Sequence, residues 1–343
     1  MVTKQSGKVD IIAVANAANV SPSTVSRTFN HPDLVNPATR KKINQAVRKL
    51  GYIRNRAAQA MHGKRSASIG LVVPTINHAI FAEMIQSFSD AIDKAGFTLL
   101  IASHGYNLDT EYAMVRKLME HRVDGLALIG SEHSRATYRM IRQQDVPTMT
   151  LWNYLEKADL PCVGADNLEA GRLASRHLTD LGHRKIGLIF PSTSGNDRAQ
   201  QRLEGVQKSL KRTEVEVRDA WQREAPYSIA HGKAAALEIL TQKQRPTALL
   251  CGNDILAQGA MFAAQKLGLS IPKDISIIGI GDFKGSADVE PGLTTVRIPA
   301  ETIGKIAGDE FSNFIVETEK VDFSHRCELE LIIRSSTAHP SQY

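Results

Sequence analysis

The sequence is poor in the residues that build extracellular or metal-stapled folds. Cysteine occurs three times in 343 residues, at Cys162, Cys251 and Cys327, with no CxxC spacing. That argues against a disulfide or zinc framework and for small buried side chains in a reducing compartment. No uncharged apolar run is long enough to cross a bilayer, and the N-terminal "MVTKQSGKVD" lacks the apolar stretch of a secretory signal. A cytoplasmic protein is the expectation. Catalytic signatures are missing as well. There is no GxSxG, no Walker-type phosphate loop and no HExxH, and "GIG" at 279–281 meets Asp282 without continuing into a dinucleotide fingerprint. The histidines at 104, 121, 133, 177 and 183 show no metal-ligand spacing, and His183 in "LGHRKIG" reads as a structural residue. The expectation is neither an enzyme nor a holder of a metal or cofactor.

What is present is a split in charge. Residues 1–65 hold 12 Lys and Arg against 2 Asp and Glu, while the other 278 residues hold 30 against 34. A small basic end on a mildly acidic body suggests a polyanion-binding module on a carrier with another task. The alternative is a disordered basic tail, but the segment carries helix punctuation. "DIIAVANAA" at 10–18 reads as a short helix burying Ile11, Ala15 and Ala18. Asn19 then suits a left-handed turn, Ser21 an N-cap and Pro22 the first helical position. Val25 and Phe29 lie one turn apart, facing the first helix. In "NPATRKKINQAVRKLG", Asn36 caps, Ile43, Val47 and Leu50 form the apolar stripe, and Gly51 ends it. Three short helices with a tight turn between the first two make a helix-turn-helix domain, residues 1–54.

The second helix carries short hydroxyls and one long base. Such a helix can lie deep in a major groove, because hydroxyls donate to phosphate without holding it away and Arg reads a guanine edge. Pro22, Ser23 and Arg27 are expected at bases, and Ser21, Thr24, Ser26, Asn30 and Thr39 at phosphates. A solvated polar face is the plainer alternative. Residues 55–66, "NRAAQAMHGKRS", read as a short hinge helix and linker, too short to be stable alone. Ala58 and Met61 share a face that could wedge into a minor groove with Arg56 beside it; an ordinary linker is the alternative.

From residue 67 onward, apolar runs alternate with amphipathic helices. Strands are expected at 68–74, 98–103, 125–130, 148–152, 162–166, 185–190, 248–252 and 276–281. Helices are expected at 81–95, 109–121, 134–144, 167–181, 198–210, 230–242 and 254–267. Continuous Val/Ile/Leu strands between helices mean parallel sheets covered on both faces, here an α/β body of two doubly wound subdomains. Ligands on such sheets bind at the carboxyl ends of the strands, in the cleft between subdomains.

Across nearly its whole length the chain resembles the lactose/galactose-repressor (LacI/GalR-type) family of bacterial transcription regulators. The resemblance rests on "VSPSTVSRTFN", "KLGYIRNRAAQAM", "KRSASIGLVVP", "HRVDGLALIG", "HLTDLGHRKIGLI", "RPTALLCGNDILAQGA", "LGLSIPKDISIIG" and "PGLTTVRIP", in the family's order and spacing. "DRAQQRLEG", "GIGDF" and "LTTVRIP" resemble the gluconate or sugar-acid branch. The family implies a homodimeric repressor of double-stranded operator DNA, controlled by a small-molecule effector in a core like periplasmic sugar-binding proteins. It places an N-subdomain at about 67–165 and 297–326 and a C-subdomain at about 166–296 and 327–343. Carried over by position, the effector site comprises Phe81, Trp152, Asn153, Arg202, Tyr227, Asn253 and Asp282. Arg198, one turn before Arg202, adds a second cation for a ligand carboxylate or phosphate. Its plain alternative is a surface salt bridge. Met84, Ile85 and Phe88 on helix 81–95 are expected either at a dimer contact or packed on the sheet. Departures stand out: the acid of the "GIGDF" segment is displaced by one residue, Trp152 stands where many members have a short acid, and Asn19 replaces a turn glycine. A sugar-binding protein without a regulatory role is the alternative function.

Overall fold

The computed structural model describes residues 9–54, 65–77, 79–211, 213–317 and 323–341. The hinge residues Arg56, Ala58 and Met61 lie outside them. The chain divides into two compact units, 1–66 and 67–343.

Among its described residues the small unit has three α-helices, α1 (Ile11–Ala18), α2 (Pro22–Asn30) and α3 (Pro37–Leu50), with one 3-10 turn at Pro32–Leu34 between the last two. The Asp10 carboxylate accepts from the Ala13 amide and caps α1. Asn19 ends α1 at φ 54°, ψ 51°, so an Asn does the work of a turn glycine. Val14, Ala15, Ala18, Val25, Ile43 and Ala46 fill the core. Ala15 and Ala18 are buried as expected, while Val14 is fully buried and Ile11 only partly, so Val14 takes the leading place on the inner face. Each large apolar side chain buried here stabilises by about 1.5–3 kcal/mol relative to exposure.

The large unit holds two six-stranded sheets. The first contains β1 (Ser68–Val73), β2 (Thr98–Ser103), β3 (Gly125–Ile129), β4 (Thr148–Asn153), β5 (Cys162–Ala165) and β11 (Ser324–Arg326), in the order β11-β5-β4-β3-β1-β2, all parallel. The second contains β6 (Ile186–Phe190), β7 (Gln222–Glu224), β8 (Ala248–Cys251), β9 (Ser276–Gly281), β10 (Thr294–Arg297) and β12 (Glu330–Ile332), in the order β12-β10-β9-β8-β6-β7; only β12 runs antiparallel. The chain passes between sheets three times, after β5, β10 and β11. Sequence reading finds eight of these twelve strands. The other four are three or four residues long, too short to display a period.

Eight helices clothe the sheets: α4 (Ala79–Lys94), α5 (Leu108–Glu120), α6 (Arg135–Gln144), α7 (Asn167–Asp180), α8 (Asp197–Leu210), α9 (Ile229–Leu240), α10 (Asp254–Lys266) and α11 (Ala300–Val316). Three helix pairs approach through glycine. A Cβ on Gly304 of α11 would lie 2.3 Å from the Met84 carbonyl oxygen of α4, and one on Gly171 of α7 would lie 2.0 Å from the Arg202 oxygen of α8. A Cβ on Gly232 of α9 would lie 2.7 Å from the Leu256 oxygen of α10. Met84 and Phe88 are fully buried in the core of their own chain, so of the residues considered for a dimer contact only Ile85 keeps any exposure. No helix among the described residues is long and apolar enough to cross a membrane.

Candidate functional site: a recognition helix and an effector cleft

The DNA-reading candidates all lie on α2 and the start of α3. The Ser21 hydroxyl accepts from the Thr24 amide at 3.2 Å and lies 2.8 Å from the hydroxyls of both Ser23 and Thr24. A cluster of hydroxyls therefore sits at the positive end of the α2 dipole, where phosphate oxygens are favoured. Pro22, Ser23 and Arg27 are exposed; Thr24, Ser26, Asn30 and Thr39 are half-buried. Asn30 is partly engaged already: its amide donates to the Ser26 hydroxyl, and its oxygen accepts from Arg54. Thr28, not anticipated, is buried and donates to the Thr24 carbonyl, so it belongs to the inner face.

In the large unit the carboxyl ends of both sheets meet across a cleft. Loops after β1, β2, β6 and β7 line an outer cavity of about 620 Å³, walled by Pro74, Ile76, Tyr106, Pro191, Pro226 and Tyr227 with Asn77, Ser192, Asn196 and Glu224 between them. Tyr106 and Tyr227, ring centroids 6.0 Å apart, also face an inner chamber of only about 20 Å³ with Phe81, Trp152, Arg198, Arg202, Asn253 and Phe283, which a ligand must open to enter. Phe81 meets Trp152 edge-on at 5.0 Å. Five of the seven residues carried over from the family pattern, and Arg198, thus surround one chamber.

The polar floor is built on Asp197. Its carboxylate accepts from the Ser131 amide and hydroxyl, the Asn153 amide, and the backbone and Nη1 of Arg198, all at 2.6–2.9 Å. Burial pushes this carboxyl up, but the Arg198 guanidinium and the donors outweigh it and hold it below its usual value. Ser131 follows β3 and Asn153 ends β4 of the first sheet, while Asp197 begins α8 on the second, so the contact fastens the two subdomains together. Gly130, at φ 95°, permits it: a Cβ there would lie 2.3 Å from Arg198 Nη1. Asn153 thereby reaches the chamber through Asp197, and its side-chain oxygen accepts from Asn167.

Both arginines are buried, each 5 % exposed, which removes the surface-salt-bridge alternative for Arg198. Arg202 Nε donates to Asn167 Oδ1 at 2.7 Å and Nη1 to the Gly252 carbonyl at 3.1 Å. Arg198 Nη1 donates to Asp197, while Arg198 Nη2 is buried with no hydrogen-bond partner. Asn253 caps α10, its oxygen accepting from the Leu256 amide.

Asp282 departs from the expectation. Its two oxygens accept from Arg297 Nε and Arg334 Nη2, at 2.8 and 2.6 Å, so it is satisfied by the protein rather than facing the chamber. Phe283 lines the chamber instead. The reason lies in "GIGDF". A Cβ on Gly279 would strike the Asp254 carboxylate, and one on Gly281 the Phe283 ring. Asp254 then accepts from the Phe283 amide, Ser286 and Thr295, which sets the loop and turns the ring inward. Tyr106, Asp197, Asn167, Asp254 and Phe283 were not legible as site residues. They sit on loops or helix starts that carry no period. Among the described residues no group of His, Cys, Asp or Glu is arranged to hold a metal ion.

Comparisons with known proteins agree with this architecture. Residues 66–334 match the family described as periplasmic binding proteins and sugar binding domain of LacI family, and residues 11–55 match bacterial regulatory proteins, lacI family. The HTH-type transcriptional repressor PurR of Escherichia coli O139:H28 is 32% identical over 327 residues, 95% of this chain and 96% of the relative. The crystal structure of the lac repressor dimer bound to operator and the anti-inducer ONPF superposes with a TM-score of 0.84 at 27% identity, covering 97% of this chain and 100% of that one. A LacI-family transcriptional regulator from Silicibacter pomeroyi shares the fold, with a TM-score of 0.85 at 22% identity over 96% and 99% of the two chains. The chain belongs to the LacI family of bacterial regulatory proteins: it is a DNA-binding transcriptional repressor, not an enzyme.

Proposed function

We propose that this repressor is controlled by a small anionic effector of the sugar-acid class, bound in the cleft with its carboxylate on Arg198. The observation that carries this reading is the Arg198 Nη2 group, buried and without a hydrogen-bond partner among the described residues, in a chamber that also holds Arg202. A buried charged donor left unsatisfied is costly, and a carboxylate oxygen supplies a charge-assisted partner. The aromatic walls suit the apolar face of a sugar, and the hydroxyl- and amide-lined outer cavity suits its hydroxyls. Those same rings favour a second reading, a flat heteroaromatic ligand such as a purine stacked among Phe81, Trp152 and Phe283.

The effector acts by preferring one arrangement of the subdomains, because only differential affinity can shift an equilibrium. The Asp197 contact is one fastening the ligand would strengthen or break. In the headpiece, Pro22, Ser23 and Arg27 read bases and Ser21, Thr24, Ser26, Asn30 and Thr39 hold phosphates. Paired copies of the chain address two half-sites about 34 Å apart. The connector then carries the signal, with Met61 and Ala58 wedged in the minor groove beside Arg56.

A thermal-shift screen of sugar acids, phosphosugars and purines, followed by calorimetry, tests the ligand class. Binding of gluconate-type acids that drops at least about tenfold in Arg198→Ala is the expected result, the loss of one charge-assisted contact. Stabilisation by purines alone, indifferent to Arg198, would replace the sugar acid with the second reading.

A further inference from the structure

The helix α6 (Arg135–Gln144) carries three arginines and no acid, and Arg135, Arg139 and Arg142 line one surface concavity of about 500 Å³ together with Tyr138, Gln143 and Asp159. None of the three guanidinium groups has a hydrogen-bond or ion-pair partner among the described residues. Some exposed cations on the other helices are neutralised one turn away, Arg116 by Glu120, Arg176 by Asp180 and Lys208 by Glu204; others, Lys94, Lys117, Lys266 and Lys305, stand singly, whereas on α6 three arginines gather around one concavity. Arg218 and Arg223 are paired with Glu216 and Glu238. A solvated helix face follows that mixed pattern. α6 does not.

We infer that this concavity is a second binding site, for a small molecule carrying two or more phosphoryl groups. The spacing i, i+4, i+7 puts the three side chains on one face, the outer two about 10 Å apart along the axis at 1.5 Å per residue. Three forks spread along one face suit a chain of phosphoryl groups or a bisphosphate, whose several oxygens can each meet a fork. Arginine rather than lysine supplies planar forks that match phosphate oxygens two at a time. Asp159 on the rim opposes an anion, but three fixed positive charges outnumber it. The site does not depend on what the cleft binds.

It is also wired to the cleft. Tyr138 lies in the concavity, and its hydroxyl donates to the Ser131 carbonyl at 3.0 Å. Ser131 donates twice to Asp197, which holds Arg198. A ligand that draws α6 outward or inward moves Tyr138, and with it the fastening between the subdomains.

Calorimetric titration of the full-length protein with inorganic tripolyphosphate tests the site. Because the basic headpiece also attracts polyanions, variants locate the binding. Arg139→Gln/Arg142→Gln is expected to weaken one binding event at least about tenfold, two charge-assisted contacts being lost. Arg245→Gln, a change at another exposed arginine, leaves that event intact. Tripolyphosphate binding identical in the double variant and wild type overturns the proposal. An acidic peptide that binds this face while tripolyphosphate does not would overturn the ligand class and make the face a protein-docking surface. Tripolyphosphate is further expected to change Trp152 emission in a Trp221→Phe background, with Tyr138→Phe, which loses the hydrogen bond to Ser131, removing that change at saturating tripolyphosphate. Emission that stays constant under saturating tripolyphosphate refutes the connection to the cleft.

Discussion

Arg27 and Arg198 illustrate how a single side chain acquires a role from its surroundings. Arg27 is exposed on α2 with hydroxyls around it, free to reach a base. Arg27→Ala is expected to cost about 1–3 kcal/mol and to relax preference at one base pair per half-site. Measuring affinity for a panel of operator variants checks this; uniform weakening across the panel would make Arg27 a phosphate contact. Arg198 is the opposite case, buried and held by the carboxylate beside it. Its neighbourhood was only half legible: the family pattern names Arg202 and helical spacing adds Arg198, but nothing in "DRAQQRLEG" shows that its first residue, Asp197, turns back onto Arg198 and across to Ser131 and Asn153. Asp282 shows the converse. Position alone put an acid in the pocket, and two arginines distant in sequence, Arg297 and Arg334, take it away.

At the scale of elements, the close helix pairs decide where the site residues lie. α7 and α8 touch backbone to backbone at Gly171 and again at Gly205, whose Cβ would lie 2.0 Å from the Leu168 oxygen. That proximity presents the first turns of α8, with Asp197, Arg198 and Arg202, to the chamber. Gly171→Ala is expected to push α8 outward, destabilising by about 1–3 kcal/mol through overpacking. It should weaken cleft-ligand binding more than operator binding by the same full-length protein. Urea melts and calorimetry on the same protein check it; an unaffected ligand affinity would mean that α8 absorbs the methyl by sliding along its axis. The connector helix is the element that the sequence alone supports. Met61→Ala there is expected to reduce operator affinity and DNA bending while cleft binding persists, as a gel-shift bending series would read. An unchanged bend would remove the wedge.

For the whole molecule, pH acts through buried histidines. Burial holds the imidazoles of His104 and His177 below their ordinary value and that of His183 down at about 4. His183 Nε2 donates to the Ala338 carbonyl and its Nδ1 faces the Thr247 hydroxyl, a neutral arrangement that ties the C-terminal segment to the second sheet. The unfolded chain binds these protons more readily, so their contribution is present above pH 6.5 and fades as pH falls towards 4. Asp254, raised by burial, works in the other sense: its contribution is present below 3.8 and is lost as pH rises. Stability measured by urea melts is therefore expected to decline between pH 6.5 and 4, and His183→Gln to flatten that decline. An equal slope in the variant would assign the effect to the other groups.

The sequence by itself determined the secondary framework, the two kinds of unit and the exposed hydroxyl-rich face of α2. Local signals suffice there: Ser21 and Asn36 cap, Asn19 turns, and continuous apolar strands demand cover on both faces. Only the tertiary structure decided which loop residues meet in the cleft, that Met84 and Phe88 serve their own core, and that α6 keeps three cations uncompensated. Those outcomes depend on strand ends and helix pairs separated by tens of residues in the chain, where neither periodicity nor capping carries information.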